Sequence, residues 1–196
     1  VIGKRKKVRE VLLASNEEIK AVRVLLKFWF PFRKYPKFGV WSYLLKTDKG
    51  LIVFDIGSEK GFWIRRTKNV ELVMDAVREY FPGETIKEIV LSHYHYDHAG
   101  GAPLLQKFAE KEYQYKPVIR IHQEDGTDKK IFNIKKTSLE KLFRKTKVVD
   151  WCLGEWLEEG ERLLDSDWVV CHTPGHTSGA VSIVNESEKI VVGGGG

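Results

Sequence analysis

Residues 91–101 read LSHYHYDHAGG and place three histidines and an aspartate within the six positions from His93 to His98. Half of the six histidines in the chain fall in this one string. The preceding run, IKEIVLS, is apolar enough to be a strand, and strand alternation then sends His93 and His95 out on one face. Asp97 and His98 follow where the chain should turn into a helix, opened up by AGG. Imidazole nitrogen and carboxylate oxygen are the ligands of a borderline divalent cation such as Zn²⁺, or of Fe or Mn. A solvated loop has no need of that density, so the string reads as a metal-binding one.

A catalytic metal commonly takes three protein ligands and keeps a position open for water. A further nitrogen donor should therefore arrive from elsewhere in the chain. CHTPGHTSG (171–179) is the candidate, again directly after an apolar run. Pro174–Gly175 forces a turn there, and either His172 or His176 could serve. His122, in RIHQEDG, sits beside acids at a strand end and reads as a capping or solvated residue. Cys171 reads as a small buried side chain. Cys152, in DWCLGEW, has no histidine near it in sequence and does not read as a nucleophile.

Periodicity predicts the elements that must position these groups. AVRVLLKF reads as a strand, and VWSYLLKT with LIVFDIG as a hairpin turning at Asp48–Gly50. NVELVMDAVREYF has apolar Val70, Val73, Met74, Val77 and Phe81 at helical spacing, with Asn69 as N-cap and Pro82–Gly83 as the stop. A helix from Pro103 to about Glu112 follows, with proline suited to its first turn. PVIRIH is predicted as a strand and Ser138–Arg144 as a helix; DWVVCH, AVSIVNE and KIVVGG complete the chain as strands. Strands, then alternating helices and strands, then strands again suit an α/β layered sandwich.

The 196 residues amount to one domain, with 42% hydrophobic and 31% charged residues, as in an ordinary globular protein. No apolar run approaches the roughly 20 residues of a membrane span; VLLKFWFPF is interrupted by Lys27 and Pro31. VIGKRKKVRE is basic but no apolar region follows it, so no secretory signal is visible. Two cysteines argue against a disulfide framework and make a cytoplasmic location the expectation. The net charge of +6 is spread among 27 acidic residues, which speaks against a nucleic-acid partner. Heavy Lys and Glu use with a single Met leans towards a thermophilic source.

HYHYDH, with HTPGHTSG downstream and VFDIG upstream, resembles the metallo-β-lactamase superfamily, over essentially the whole chain from VWSYLLKTDKGLIVFDIG onward. The resemblance implies an αββα four-layer sandwich, here one domain over 1–196 lacking its C-terminal part, with a dinuclear metal site at one edge. It implies that His93, His95 and His176 bind the first of two Zn²⁺ ions and that Asp97 and His98 bind the second. His172 would be structural, and Asp55 and Gly57 match the D-x-G that supports the site, a hairpin end being the competing reading. The pattern departs from the family at its end. A bridging aspartate is expected where the chain reads VVGGGG, at Gly194 or Gly195, and the last histidine ligand would lie beyond it.

The implied activity is hydrolysis by a metal-bound hydroxide, whose formation is eased because a metal lowers the pKa of water from 15.7 to about 7. Asp97 would take the proton. The target would be an ester, thioester or lactone carbonyl in a small-molecule substrate. Tyr96 stands where the nuclease branch carries glycine, and His95 where flavodiiron proteins carry glutamate. The alternatives are a catalytically impaired metal-binding or ligand-sensing module of the same fold, or a nuclease. In KFWFPFRKYPKFGVW, the aromatics Phe28, Trp29, Phe30, Phe32, Tyr35, Phe38 and Trp41 could wall a site for an acyl or aromatic group. Arg33 or Lys34 would then face a carboxylate; core packing or a homodimer contact competes with this reading.

Overall fold

The computed structural model describes residues 9–15, 18–27, 39–59, 67–126 and 154–194. The aromatic stretch as far as Phe38, the helix expected at 138–144, Cys152 and Gly195 lie outside them. Six strands form the larger sheet in the order β1 (Arg9–Ser15), β2 (Glu18–Lys27), β3 (Gly39–Thr47), β4 (Gly50–Phe54), β5 (Ile86–Val90) and β6 (Val118–Arg120). The first four pair antiparallel, whereas β4, β5 and β6 run parallel. A second, antiparallel sheet holds β7 (Val169–His172), β8 (Val181–Asn185) and β9 (Ile190–Gly193).

The β3–β4 hairpin turns at Asp48–Lys49 with Thr47 opposite Gly50. Gly50 takes a φ of 124°, open to glycine at little cost. Strand β4 is buried on both faces, and its alternation decides the layers. Leu51 and Val53 pack with helices α1 (Asn69–Tyr80) and α3 (Ala102–Tyr113); Ile52 and Phe54 pack with Trp168, Val170, Val181 and Ile183 of the second sheet. Complete burial of a side chain such as Phe54 contributes about 1.5–3 kcal/mol. Three of the four layers expected of an αββα sandwich are thus present among the described residues: helices, large sheet, small sheet. No helix of the described residues is long and apolar enough to cross a membrane.

Helix α1 buries Val70, Val73, Met74 and Val77, as its spacing predicts. Asn69 is not its cap. Lys68 holds that position without a side-chain hydrogen bond, and Asn69 is the first helical residue. Its amide Nδ2 donates instead to the Ser58 carbonyl at 3.3 Å, tying the helix start to the loop after β4. Two short helices, α2 (Tyr96–Ala99) and α4 (Gln123–Gly126), follow β5 and β6; neither is marked by periodicity, because four residues cannot show a period.

Arg120 on β6 is buried and joins the large sheet to the segment 154–161. Its guanidinium grips Glu161 with two nitrogens at 2.5 and 2.9 Å and donates to the carbonyls of Glu155 and Trp156, each at 3.0 Å. Glu88, on the neighbouring strand, reaches it only at 3.8 Å, and its Oε2 is buried without a hydrogen-bond partner. Burial raises the Glu88 pKa above 4.5; Arg120 opposes this and Glu161 adds to it. The folded chain therefore holds this proton to higher pH than the unfolded chain, and stability falls as pH rises above 4.5 through the raised value. Glu88→Gln removes that titration. Its stability relative to the parent, measured by urea unfolding, should be more favourable at pH 7 than at pH 4.5; an equal or reversed difference would refute the assignment.

Candidate metal centre

The three parallel strands end at one edge of the large sheet, and each delivers a polar group there. Strand β4 runs into Asp55, β5 into Ser92 and the histidine string, and β6 into α4 with Asp125. A crevice outside the carboxyl ends of parallel strands is the usual ligand position in open α/β sheets. The β7–β8 loop of the small sheet reaches the same edge and brings His176.

His93, His95 and His176 each offer a ring nitrogen, and these atoms all lie within 4.8 Å of one another. Their ring centroids form a near-equilateral triangle of 4.6, 4.7 and 4.8 Å, with each pair meeting edge to face. His95 Nδ1 stands 2.8 Å from His176 Nε2. Of the two candidates in the second motif, the structure thus brings in His176. His172 faces away from the triangle: its Nε2 donates to the Ser178 carbonyl at 2.8 Å, and its ring stacks on His122 at 4.1 Å.

His93 is almost wholly buried, and its hydrogen bonds assign its tautomer. The Ser92 hydroxyl donates to Asp55 Oδ2 at 2.7 Å and lies 2.9 Å from His93 Nδ1. With its own proton committed to Asp55, the hydroxyl accepts from Nδ1–H, so Nε2 carries the lone pair. That Nε2 is buried with no hydrogen-bond partner, an arrangement that costs free energy unless something fills it. Burial, with the neighbouring histidines, lowers the His93 pKa to about 4, so the ring is neutral at pH 7. His95 is also lowered, by burial first and then by His176. Neutral imidazoles, one with an orphaned lone pair turned inward, fit a divalent cation.

Asp55 orients the other half as well. Its Oδ2 accepts from His98 Nδ1 at 2.8 Å, which leaves His98 Nε2 free, 3.9 Å from Asp97 Oδ2. Burial lowers the His98 pKa, but the hydrogen bond and charge of Asp55, with Asp97, outweigh it and leave the value raised. Asp97 itself is half exposed. Asp55 sits at φ 56° and Gly57 at φ 75°, and the backbone nitrogens of Ile56 and Gly57 both donate to the His98 carbonyl, at 2.9 and 3.2 Å. A Cβ at residue 57 would meet Asn69 and Leu26 within 3 Å. The D-x-G therefore acts through loop geometry and through its carboxylate together, not as a mere hairpin end.

Gly194 is not a position for a bridging carboxylate. A Cβ there would stand 1.8 Å from Ser92 Oγ and 2.4 Å from Asp55 Oδ2, so of the two expected positions only Gly195 remains. Beside the triangle lies a cavity of about 400 Å³, bounded by Ser92, His93, His176, Thr173 and Ser182. Cys171 is half-buried rather than buried. Its thiol pKa is raised, by burial first and then by Glu159 and Glu186, which makes it a poor nucleophile. Trp41, the one described member of the aromatic stretch, lies under the Arg23 guanidinium at 4.3 Å.

Sequence reasoning gives no role to Asp125. Its carboxylate is fully buried. It accepts from Thr177 Oγ1 at 2.6 Å, from the Gly179 nitrogen at 2.9 Å and from the Tyr94 nitrogen at 3.3 Å. Its partners lie 31, 52 and 54 residues away, so no local signal exists to find them.

A curated relative, an N-acyl homoserine lactonase of Bacillus sp., is 28% identical over 173 residues, covering 76% of this chain and 59% of its own length. Among solved structures, a metallo-β-lactamase of Novosphingobium pentaromativorans superposes with a TM-score of 0.53 at 21% identity, over 75% of this chain and 50% of that one. A β-lactamase of Chitinophaga pinensis superposes with a TM-score of 0.52 at 19% identity, over 74% and 49%. At such identities the likeness is one of fold, and the chain spans between about half and three-fifths of the length of these proteins. The family model of the metallo-β-lactamase superfamily matches residues 35–194, which take in the hairpin, the histidine string and the loop bearing His176. The chain belongs to the metallo-β-lactamase superfamily.

Proposed function

We propose that this chain carries the metal-binding core of a hydrolase that cleaves an ester, thioester or lactone carbonyl in a small molecule. The observation that carries the reading is the inward, unpartnered Nε2 of His93 beside the paired nitrogens of His95 and His176. These three would hold one cation, and His98 Nε2 with Asp97 would offer ligands to a second. A divalent cation held there supplies Lewis acidity to the carbonyl and brings the pKa of water towards 7; zinc suits the nitrogen-rich donors. Ser92 and Asp55 keep His93 and His98 in the tautomers that leave Nε2 free. Asp97, half exposed, would take a proton from the attacking water. Likeness to the Bacillus lactonase favours a lactone among the three substrate classes.

A second reading, a metal-binding or ligand-sensing module without turnover, is favoured by the four glycines at 193–196, where a bridging aspartate is expected. One experiment separates the two: metal content by elemental analysis, with turnover of an acyl homoserine lactone, an acyl thioester and a simple ester. The parent chain and Gly195→Asp are compared. The hydrolase reading expects bound metal and turnover that rises with Gly195→Asp. Asp97→Asn should keep the metal of the three histidines and lose about 100- to 10,000-fold in turnover. Metal without turnover in either form would establish the module; no metal in either form would remove both readings.

A further inference from the structure

We infer that Asp125 is a positioning residue of the metal centre, its carboxylate clamping together the two loops that carry the ligands. The inference rests on the reading above that His93, His95 and His176 hold a cation. One oxygen, Oδ2, accepts from the nitrogen of Tyr94, which lies between His93 and His95, and from the hydroxyl of Thr177, which follows His176. The other, Oδ1, accepts from the Gly179 nitrogen two residues further along. One side chain therefore spans the string from β5 and the loop from β7.

The loop needs such an anchor. From Thr173 to His176 it is exposed, and it contains Pro174 and a glycine at φ 153°. Exposed residues contribute little burial to hold one conformation. Its buried points are Thr177, Gly179 and Ala180, and Asp125 holds the first two. Gly179 packs so closely that a Cβ there would stand 2.6 Å from the Asp125 nitrogen. Helix α4 is itself seated firmly: a Cβ on Gly126 would overlap the Trp156 ring at 2.0 Å. At the other end of the same contact, His122 stacks on His172 with the ring planes 14° apart. The segment His122–Gly126 thus grips the His176 loop at both ends, and the carboxylate fixes the separation of His176 from His95.

The test uses the full chain and the variants Asp125→Ala, Asp125→Asn and Thr177→Val. The last removes one hydrogen bond and keeps the carboxylate, so it remains informative if alanine prevents folding. Zn²⁺ affinity is measured by competition with a chromophoric chelator, and the His176 ring ¹⁵N resonances are recorded on metal-free protein. Asp125→Ala should weaken Zn²⁺ binding about 10- to 100-fold, with Thr177→Val and Asp125→Asn weaker in effect, and the His176 signals should shift or broaden in all three. Folded variants with parental Zn²⁺ affinity and unchanged His176 signals would overturn the clamp. If the parent itself binds no Zn²⁺, the metal reading fails. The clamp is then judged on the ring resonances alone: a single, unshifted His176 signal in Thr177→Val and Asp125→Asn refutes it.

Discussion

Alanine at position 93 should leave a folded chain that no longer retains Zn²⁺ and shows no hydrolytic turnover. His93 is the deepest of the three converging imidazoles, 1% exposed. It is also the one whose free nitrogen has no protein partner. Its tautomer is set by a relay, Asp55 to Ser92 to Nδ1, so its lone pair is prepared before any cation arrives. Removing a proposed ligand outright should weaken binding by more than the about 10- to 100-fold expected for a residue that only supports one. The imidazole is neutral at pH 7, so its loss strands no charge, and the Asp55 carboxylate keeps its bonds to the Ser92 nitrogen and to His98. The chain should therefore still fold, with a cavity cost. Equilibrium dialysis with Zn²⁺, paired with a urea unfolding curve, checks both halves. Retained stoichiometric zinc in His93→Ala would show that the cation sits elsewhere.

The second large effect lies away from the ligands. Arg120→Met should destabilise the chain by about 3–5 kcal/mol, because breaking a buried ion pair strands its partners. Here the stranded groups are the Glu161 carboxylate and the carbonyls of Glu155 and Trp156, together with Glu88, which already has one oxygen unpaired. Methionine matches the length of the arginine stem, so most of the loss is electrostatic and hydrogen-bonding in origin. Arg120→Lys keeps the charge but not the two-pronged grip, and should fall between the two. Urea midpoints at pH 7 rank the three; a methionine variant within 1 kcal/mol of the parent, about the net value of one ordinary hydrogen bond, would show that Arg120 does not organise the joint.

Legibility in the sequence follows the range of the forces involved. The β3–β4 hairpin and helix α1 are readable because alternation and helical spacing are local consequences of one buried face. The histidine string is readable from its density of ligand-type side chains, but not for the reason alternation suggests. Strand β5 ends at Val90, and the bends between β5 and α2, not a strand face, bring His93 and His95 together. Strand β1 escapes because bulges between Val11 and Leu13 and between Leu13 and Ala14 break its alternation, and Val11 is 46% exposed. Asn69 misleads because its side chain answers a distant carbonyl, that of Ser58, instead of its own helix end. Asp125 is illegible because its meaning exists only once β6 and the β7–β8 loop meet. That His176 and not His172 joins the other two imidazoles likewise emerges only through tertiary convergence.

X-ray absorption at the zinc edge, on chain loaded with one equivalent of Zn²⁺, reads the central claim most directly. The expected spectrum has nitrogen or oxygen neighbours at about 2.0–2.1 Å and the outer-shell pattern of three imidazoles, falling to two in His176→Ala. A sulfur neighbour at about 2.3 Å, or a first shell with at most one imidazole, would contradict the convergence of His93, His95 and His176 on one ion.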